Sequence, residues 1–356
     1  MKKNKLIIAC LLVFCLLSCR WTPGNNTKEK EGAEHEEFGL SNDEICIKQD
    51  LMRGGAIYYI SRATETRNLV NIHDEGRYIQ QAYYAGRDLN RQKDGQSPMW
   101  SPWPWNPIQV GDYACNRAQI LDYKKTGNSL YIKCVPMLWD MADCPAEAVM
   151  EQWTTLKGNV IKVRNKLVCQ RTDSIYGEGV KRDQEIPAVY LISALKNLYS
   201  YFGSAPFTNA SVRQTEVKQL ILNDPEHFWG AYDDASECWM AFVDDSLWGV
   251  GVYTPSATRF LAGRYGNDLE GDALSSATSY IAPLRVERLK KNSVMDYEYY
   301  LIIGSLDIIR KKVYEIRENK WFWKALSLMI SVDGLLNPLC FKIIMQKERW
   351  KEKEIR

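Results

Sequence analysis

Between Ile45 and Tyr314 apolar and polar residues alternate with a period of two, in runs rich in β-branched and aromatic residues, with turn signals about every ten residues. That pattern limits what the chain can become. The clearest case is 147–169, EAVMEQWTTLKGNVIKVRNKLVC, in which two alternating runs flank Lys157, Gly158 and Asn159 and read as a β-hairpin. GGAIYYIS at 54–61, NSLYIKCVPMLW at 128–139, ECWMAFVDDSLWGVGVYTP at 237–255 and YEYYLIIGSL at 297–306 read as further strands. GVGVYTP at 249–255 lacks the third glycine and following helix of a dinucleotide-binding turn, so it too reads as a strand. Helix is expected only over Pro187–Leu198 and Asp307–Arg317, with a turn near 213–223. The fold class is therefore mostly β, an antiparallel sandwich or barrel.

The first residues have a different logic. Lys2, Lys3 and Lys5 precede an apolar run from Leu6 to Leu17, about a dozen residues long, which has the form of a secretory signal and is short of the roughly 20 needed to span a bilayer. Its end, LLSC, resembles the lipobox of bacterial lipoproteins. That resemblance implies removal of residues 1–18 and acylation of Cys19, with membrane anchoring in the bacterial cell envelope. Residues 19–43, with the run KEKEGAEHEE, read as a solvated tether, and His35 within it has no expected role. A β domain is expected over 44–320, and final strands or an apolar segment plus a basic tail over 321–356.

Setting aside Cys10, Cys15 and Cys19, the cysteines are Cys46, Cys115, Cys134, Cys144, Cys169, Cys238 and Cys340. They show no CxxC and no metal-ligand spacing, so no metal and no cofactor are expected. Most read as small buried hydrophobes, with Cys134–Cys144 the first candidate for a disulfide in an oxidising compartment. The chain carries 46 basic and 44 acidic residues, with no clustered basic surface for nucleic acid.

One window concentrates chemistry. NLVNIHDEGRYIQQAYYAG, followed after a polar loop by WSPWPWNPIQVGD, spans 68–112 and brings carboxylates, a guanidinium and carboxamides close to flat rings. Apolar faces with polar edges match a sugar, so an oligo- or polysaccharide is the expected ligand. His73 and Arg77 are candidates for acid/base work, or the segment is simply a structural turn. On a strand Gln81 shares a face with Tyr83, and Gln80 with Tyr84; the first pair is expected to face ligand. Trp100, Trp103 and Trp105 either stack on sugar or fold back as a hydrophobic lid, with Asn106 as polar complement. Asp183 and Glu185, two apart, share a face if extended and suit glycosidic acid/base chemistry. Arg182 beside them, and Glu151 in the hairpin, are candidate substrate contacts. His227 and the pair Asp244 and Asp245 read as structural.

GGAIYYIS followed by NLVNIHDEGR resembles the opening hairpins of galactose-mutarotase-like domains. With EQWTTLKGNVIKVRNKL, RDQEIPAVY, WMAFVDDSLWGVGVY and SYIAPLR, the larger pattern looks like a group of secreted bacterial proteins of that superfamily, over about residues 53–315. The resemblance implies a large antiparallel supersandwich that uses the concave face of one sheet for sugar. Aldose epimerases of the family use a histidine pair and a glutamate. Here the histidine motif with Tyr, Trp and Asn is missing, so epimerisation is not expected. The expectation is an envelope lipoprotein that binds and processes carbohydrate in the manner of a glycoside hydrolase or polysaccharide lyase, or else a non-catalytic carbohydrate-binding or structural lipoprotein.

Overall fold

The computed structural model describes residues 38–171, 175–221 and 228–333. The signal sequence, Cys19, His35, His227, Cys340 and the basic tail lie outside the described residues. The chain divides into two compact units, one to Ile309 and one from Arg310.

The first unit is built on two large sheets. The nine-stranded sheet runs, in spatial order, Arg213–Thr215, Asn197–Ser200, Trp239–Val243, Trp248–Tyr253, Val294–Ser305, Val160–Cys169, Ala148–Lys157, Ser129–Val135 and Gln119–Thr126. The eight-stranded sheet runs Met137–Leu138, Pro107–Ile108, Gln80–Ala82, Arg182–Ile192, Thr278–Glu287, Arg259–Tyr265 and Gln219–Leu220, with Gly230–Tyr232 also pairing the 259–265 strand. Among the described residues every strand pairing is antiparallel except the short one between 219–220 and 264–265. The chain is a mostly β, antiparallel sandwich.

The predicted hairpin forms in full register from Ala148↔Cys169 to Lys157↔Val160, turning at Gly158 with φ +55°. Alternation sorts side chains between faces. In the 148–157 strand Ala148, Met150, Gln152, Thr154 and Leu156 are buried, and the residues between them look outward. One hydrophobic cluster draws Ile132, Met150, Val163, Phe242 and Leu301 from the nine-stranded sheet and Tyr83, Val189, Leu191 and Ile281 from the eight-stranded one, so the sheets pack face to face.

A second cluster forms on the opposite face of the eight-stranded sheet, from Ala82, Tyr84, Trp100, Trp103, Trp139, Ala188, Tyr190, Trp229, Tyr280 and Leu284 among others. This two-sided burial explains where the predicted helix at 187–198 went. AVYLI is buried throughout, and a continuous apolar run reads alike as a buried helix or a central strand. It is a strand to Ile192, and 197–200 is another. The predicted turn near 213–223 contains strands 213–215 and 219–220. The C-terminal helix, Leu306–Asp333, runs well past the predicted Arg317 and takes up the start of the segment expected from 321 as final strands or an apolar segment; the rest of that segment lies outside the described residues. No helix among the described residues is long and apolar enough to cross a membrane. Cys134 and Cys144 are both free thiols, so the expected disulfide is absent; Cys134 sits opposite Met150 inside the sheet ladder.

Candidate functional site

The outer face of the eight-stranded sheet carries a small cleft lined by Gly76, Gln80, Ala82, Tyr84, Ile108, Trp139, Glu185, Ala188 and Tyr190. Its floor is open because small residues meet there. Ala82 lies opposite Glu185, and Gln80 opposite Ala188, on adjacent strands.

That pairing contains the feature that makes the site. From Glu185 to Ala188 the strand takes three steps while its neighbour takes two, from Ala82 to Gln80. Against the other neighbour, Glu185↔Leu284 and Val189↔Ile281, it takes four steps against three. A β-bulge thus lies at Ile186 and Pro187. In a regular strand Glu185 would share a face with Val189 and Leu191, which belong to the intersheet core. The extra residue turns Glu185 outward, onto the face of Ala188 and Tyr190.

Glu185 is 2% exposed. Its Oε2 accepts a hydrogen bond from the Tyr84 hydroxyl at 3.3 Å, and its Oε1 has no partner among the described residues. Burial raises the carboxyl to about 7 from 4.5; the Tyr280 and Tyr84 hydroxyls oppose the rise and the charge of Asp183 adds to it. Glu185 therefore holds a proton close to neutral pH. Trp139 lines the cleft, and its indole Nε1 is likewise buried without a partner among the described residues. A cleft with an orphaned carboxyl oxygen and an orphaned indole N–H suits a ligand that both donates and accepts.

The Pro-rich segment packs behind two of the lining rings, Trp139 and Tyr84. Trp100 packs edge-on against Trp103, centroids 5.4 Å apart, and against Trp139 at 5.7 Å; Trp103 meets Tyr84 at 6.5 Å. Trp100 and Trp103 are 2% and 4% exposed, so they are a lid on the sheet and do not present open faces to sugar. Trp105 is in the intersheet core, with Arg171 over its ring. Asn106 is fully buried and stitches the segment down, donating to Tyr83 O at 2.8 Å and accepting from Trp103 Nε1 at 3.1 Å.

Other predicted site residues are placed elsewhere. Gln81 and Tyr83 do share a face, but it is the inner one: Tyr83 donates to Gln81 Oε1 at 2.7 Å, and Gln81 Nε2 reaches Glu151 O. The cleft takes the other pair, Gln80 and Tyr84. The Glu151 side chain lies on the outward side of the nine-stranded sheet, ion-paired to Lys166 at 3.0 Å and accepting from Tyr131 at 2.8 Å, away from the cleft. Arg182 is tied to Gly86 O and Asp88 at 2.8 Å each. His73 is exposed, its Nδ1 2.9 Å from Leu274 O. Arg77 is buried next to Gly76, paired with Asp74 at 2.9 Å and donating to Ser276 O at 2.7 Å. Burial lowers Arg77 and raises Asp74, and their mutual attraction opposes both shifts. Asp183 shares the outer face with Glu185, as the i, i+2 spacing requires, and is ion-paired to Arg259 at 2.8 Å.

The cleft residues Gln80, Ala82, Tyr84, Trp139, Ala188 and Tyr190 escaped sequence reasoning as a set. Gln80 and Tyr84 were recognisable as one face of a strand. Ala188 and Tyr190 could be assigned to the face of Glu185 only with the bulge in hand. No group of His, Cys, Asp and Glu among the described residues is arranged to hold a metal ion.

No protein-family model matches this sequence, and no curated protein matches it. Solved structures do. A galactose mutarotase related enzyme from Lactobacillus acidophilus is 12% identical, aligned over 76% of this chain and 97% of its own, with a TM-score of 0.44. A galactose mutarotase-like protein from Lactobacillus casei ATCC 334 is 10% identical over 75% of this chain and 99% of its own, TM-score 0.45. A 4-alpha-glucanotransferase from Thermococcus litoralis is 10% identical over 76% of this chain and 39% of its own, TM-score 0.41. At these identities and scores, what the site does is a question for its own residues.

Proposed function

We propose that this protein binds and processes a carbohydrate in the cleft on the outer face of the eight-stranded sheet, with Glu185 as the proton donor. The observation that carries the reading is the Glu185 carboxyl: buried at the cleft floor, one oxygen held by Tyr84, the other unpartnered, and protonated close to neutral pH. A glycosidic oxygen needs a proton as its bond to the sugar breaks, and a carboxyl that keeps its proton to about 7 can give it. Aromatic walls with few polar groups suit a pyranose ring. Hydrolysis is the reaction best supported. Asp183 supplies a second carboxylate on the same face, two residues along the extended strand, and a glycosidic hydrolysis uses such a pair of carboxyl groups. The lipobox-like LLSC ending at Cys19 supports the further proposal that the domain is anchored to a bacterial envelope membrane through acylation of that cysteine.

A second reading has its own observation. Asp183 is held by Arg259 at 2.8 Å, so this carboxylate is already engaged in an ion pair and not turned to a water, which favours a module that binds sugar without cleaving it.

Incubating the protein with a panel of plant, host and microbial glycans, followed by mass spectrometry, tests the proposal. Products shortened with addition of water, absent with Glu185→Gln, support hydrolysis. Glycans that bind but stay intact support the binding module. A panel that neither binds nor shortens overturns both.

A further inference from the structure

Resting on the carbohydrate reading, the charges around Glu185 carry a statement about which sugars the cleft accepts. Across three neighbouring strands the residues Glu185, Leu284 and Arg259 are directly opposite one another, so they share the outer face. Arg259 starts two strands from Glu185, about 10 Å away, and its side chain reaches back toward the same strand. Nη1 meets Asp183 Oδ1 at 2.8 Å, while Nε meets Asp233 Oδ1 at 2.9 Å. One guanidinium is thus spanned by two carboxylates, and the trio carries a net negative charge. The other cations near the cleft are compensated as well: Arg77 by Asp74 at 2.9 Å, and Arg53 by Glu75 at 2.6 Å. Arg77 is 1% exposed, so it cannot turn to meet a ligand.

We propose that Asp183 and Asp233 are specificity-determining residues: by occupying Arg259 from both sides they make the site select uncharged glycans and reject uronates. A sugar carboxylate bound over Glu185 would find no available guanidinium and would lie near the excess charge of the trio. The consequence extends to chemistry. Elimination from a uronate requires its carboxylate to be neutralised so that the neighbouring C–H becomes acidic, and paired guanidiniums do not provide that. An uncharged sugar needs only the proton of Glu185 and the polar edges of the cleft.

The test is a matched binding series on the intact protein, using oligosaccharide pairs that differ only in a C6 hydroxymethyl or a C6 carboxylate, by titration calorimetry at low salt. The uncharged member is expected to bind more tightly by on the order of tenfold. The double variant Asp183→Asn with Asp233→Asn frees Arg259 and is expected to narrow or reverse that ratio. Asp233 is exposed, so Asp233→Asn alone folds safely and is expected to narrow it in part. Equal or tighter binding of the uronate by the unaltered protein overturns the inference, as does a ratio that neither variant moves. Binding of neither member in any pair defeats the carbohydrate reading itself, a distinct result.

Discussion

The Tyr84 hydroxyl donates to Glu185 Oε2 at 3.3 Å, from residues 101 positions apart in the chain. The two meet because Tyr84 follows the edge of the 80–82 strand while Glu185 is turned outward by the bulge at Ile186 and Pro187. Their contact marks the floor of the cleft, and its energetics can be measured without knowing the ligand.

Glu185 makes stability depend on pH. Its folded carboxyl keeps a proton to about 7, against 4.5 for the ordinary value. Between those pH values the unfolded chain releases a proton that the folded chain retains, so stability falls as pH rises and the loss is complete above about 7. A shift of this size is worth about 3 kcal/mol. Denaturant unfolding from pH 4 to 8 should show that decline in the native protein and a much flatter profile in Glu185→Gln. Identical profiles would mean that Glu185 ionises normally.

Ala188 is the residue that leaves room in the cleft. Ala188→Leu directs three extra carbons into it, at a cost of about 1–3 kcal/mol where packing is already tight and less where the cavity accepts them. Glycan binding should be lost while the circular dichroism spectrum and cooperative unfolding persist. Undiminished binding would place the sugar elsewhere.

The inner face responds differently. Gln109 donates to Gly54 O at 2.8 Å and Gln152 Oε1 at 3.0 Å and accepts from Gln81 N at 3.0 Å, all within the core. Gln109→Leu orphans these groups at about 1–3 kcal/mol each, so the midpoint of thermal unfolding should fall by several degrees. Relative affinity for glycan, measured below that midpoint, should not change. A selective loss of affinity would tie the inner network to the ligand.

Burial pushes the Cys134 thiol up to about 12, where it is neither a thiolate nor a nucleophile. Ellman's reagent should leave it unmodified in the folded protein and reach it after denaturation. Rapid modification of Cys134 under native conditions would contradict its place in the sheet.

Much of this architecture was legible in the residues. The 147–169 hairpin announced its register because one face of each strand is buried and the other solvated, and that contrast is what a period-two pattern records. The 182–192 strand was misread at 187 and beyond because it is buried on both faces, which erases the pattern. The site was half legible. Asp183 and Glu185 share a face, and Gln80 pairs with Tyr84, as alternation requires. Which face of Gln80 and Gln81 meets the cleft depends on what packs behind each, and the intersheet core claims Tyr83. Trp100, Trp103 and Trp105 illustrate the same limit: rings among prolines suit a platform or a lid equally, and the contacts decide, Trp100 and Trp103 packing against Trp139 and Tyr84 while Trp105 enters the intersheet core.

The most direct test of the account follows the 13Cδ resonance of Glu185, assigned by its loss in Glu185→Gln, through a pH titration with and without added oligosaccharide. The expected midpoint is near 7, in place of the ordinary 4.5, with a displaced resonance on addition of any glycan that binds. A midpoint near the ordinary value, or a resonance unmoved while glycan binds, would contradict it.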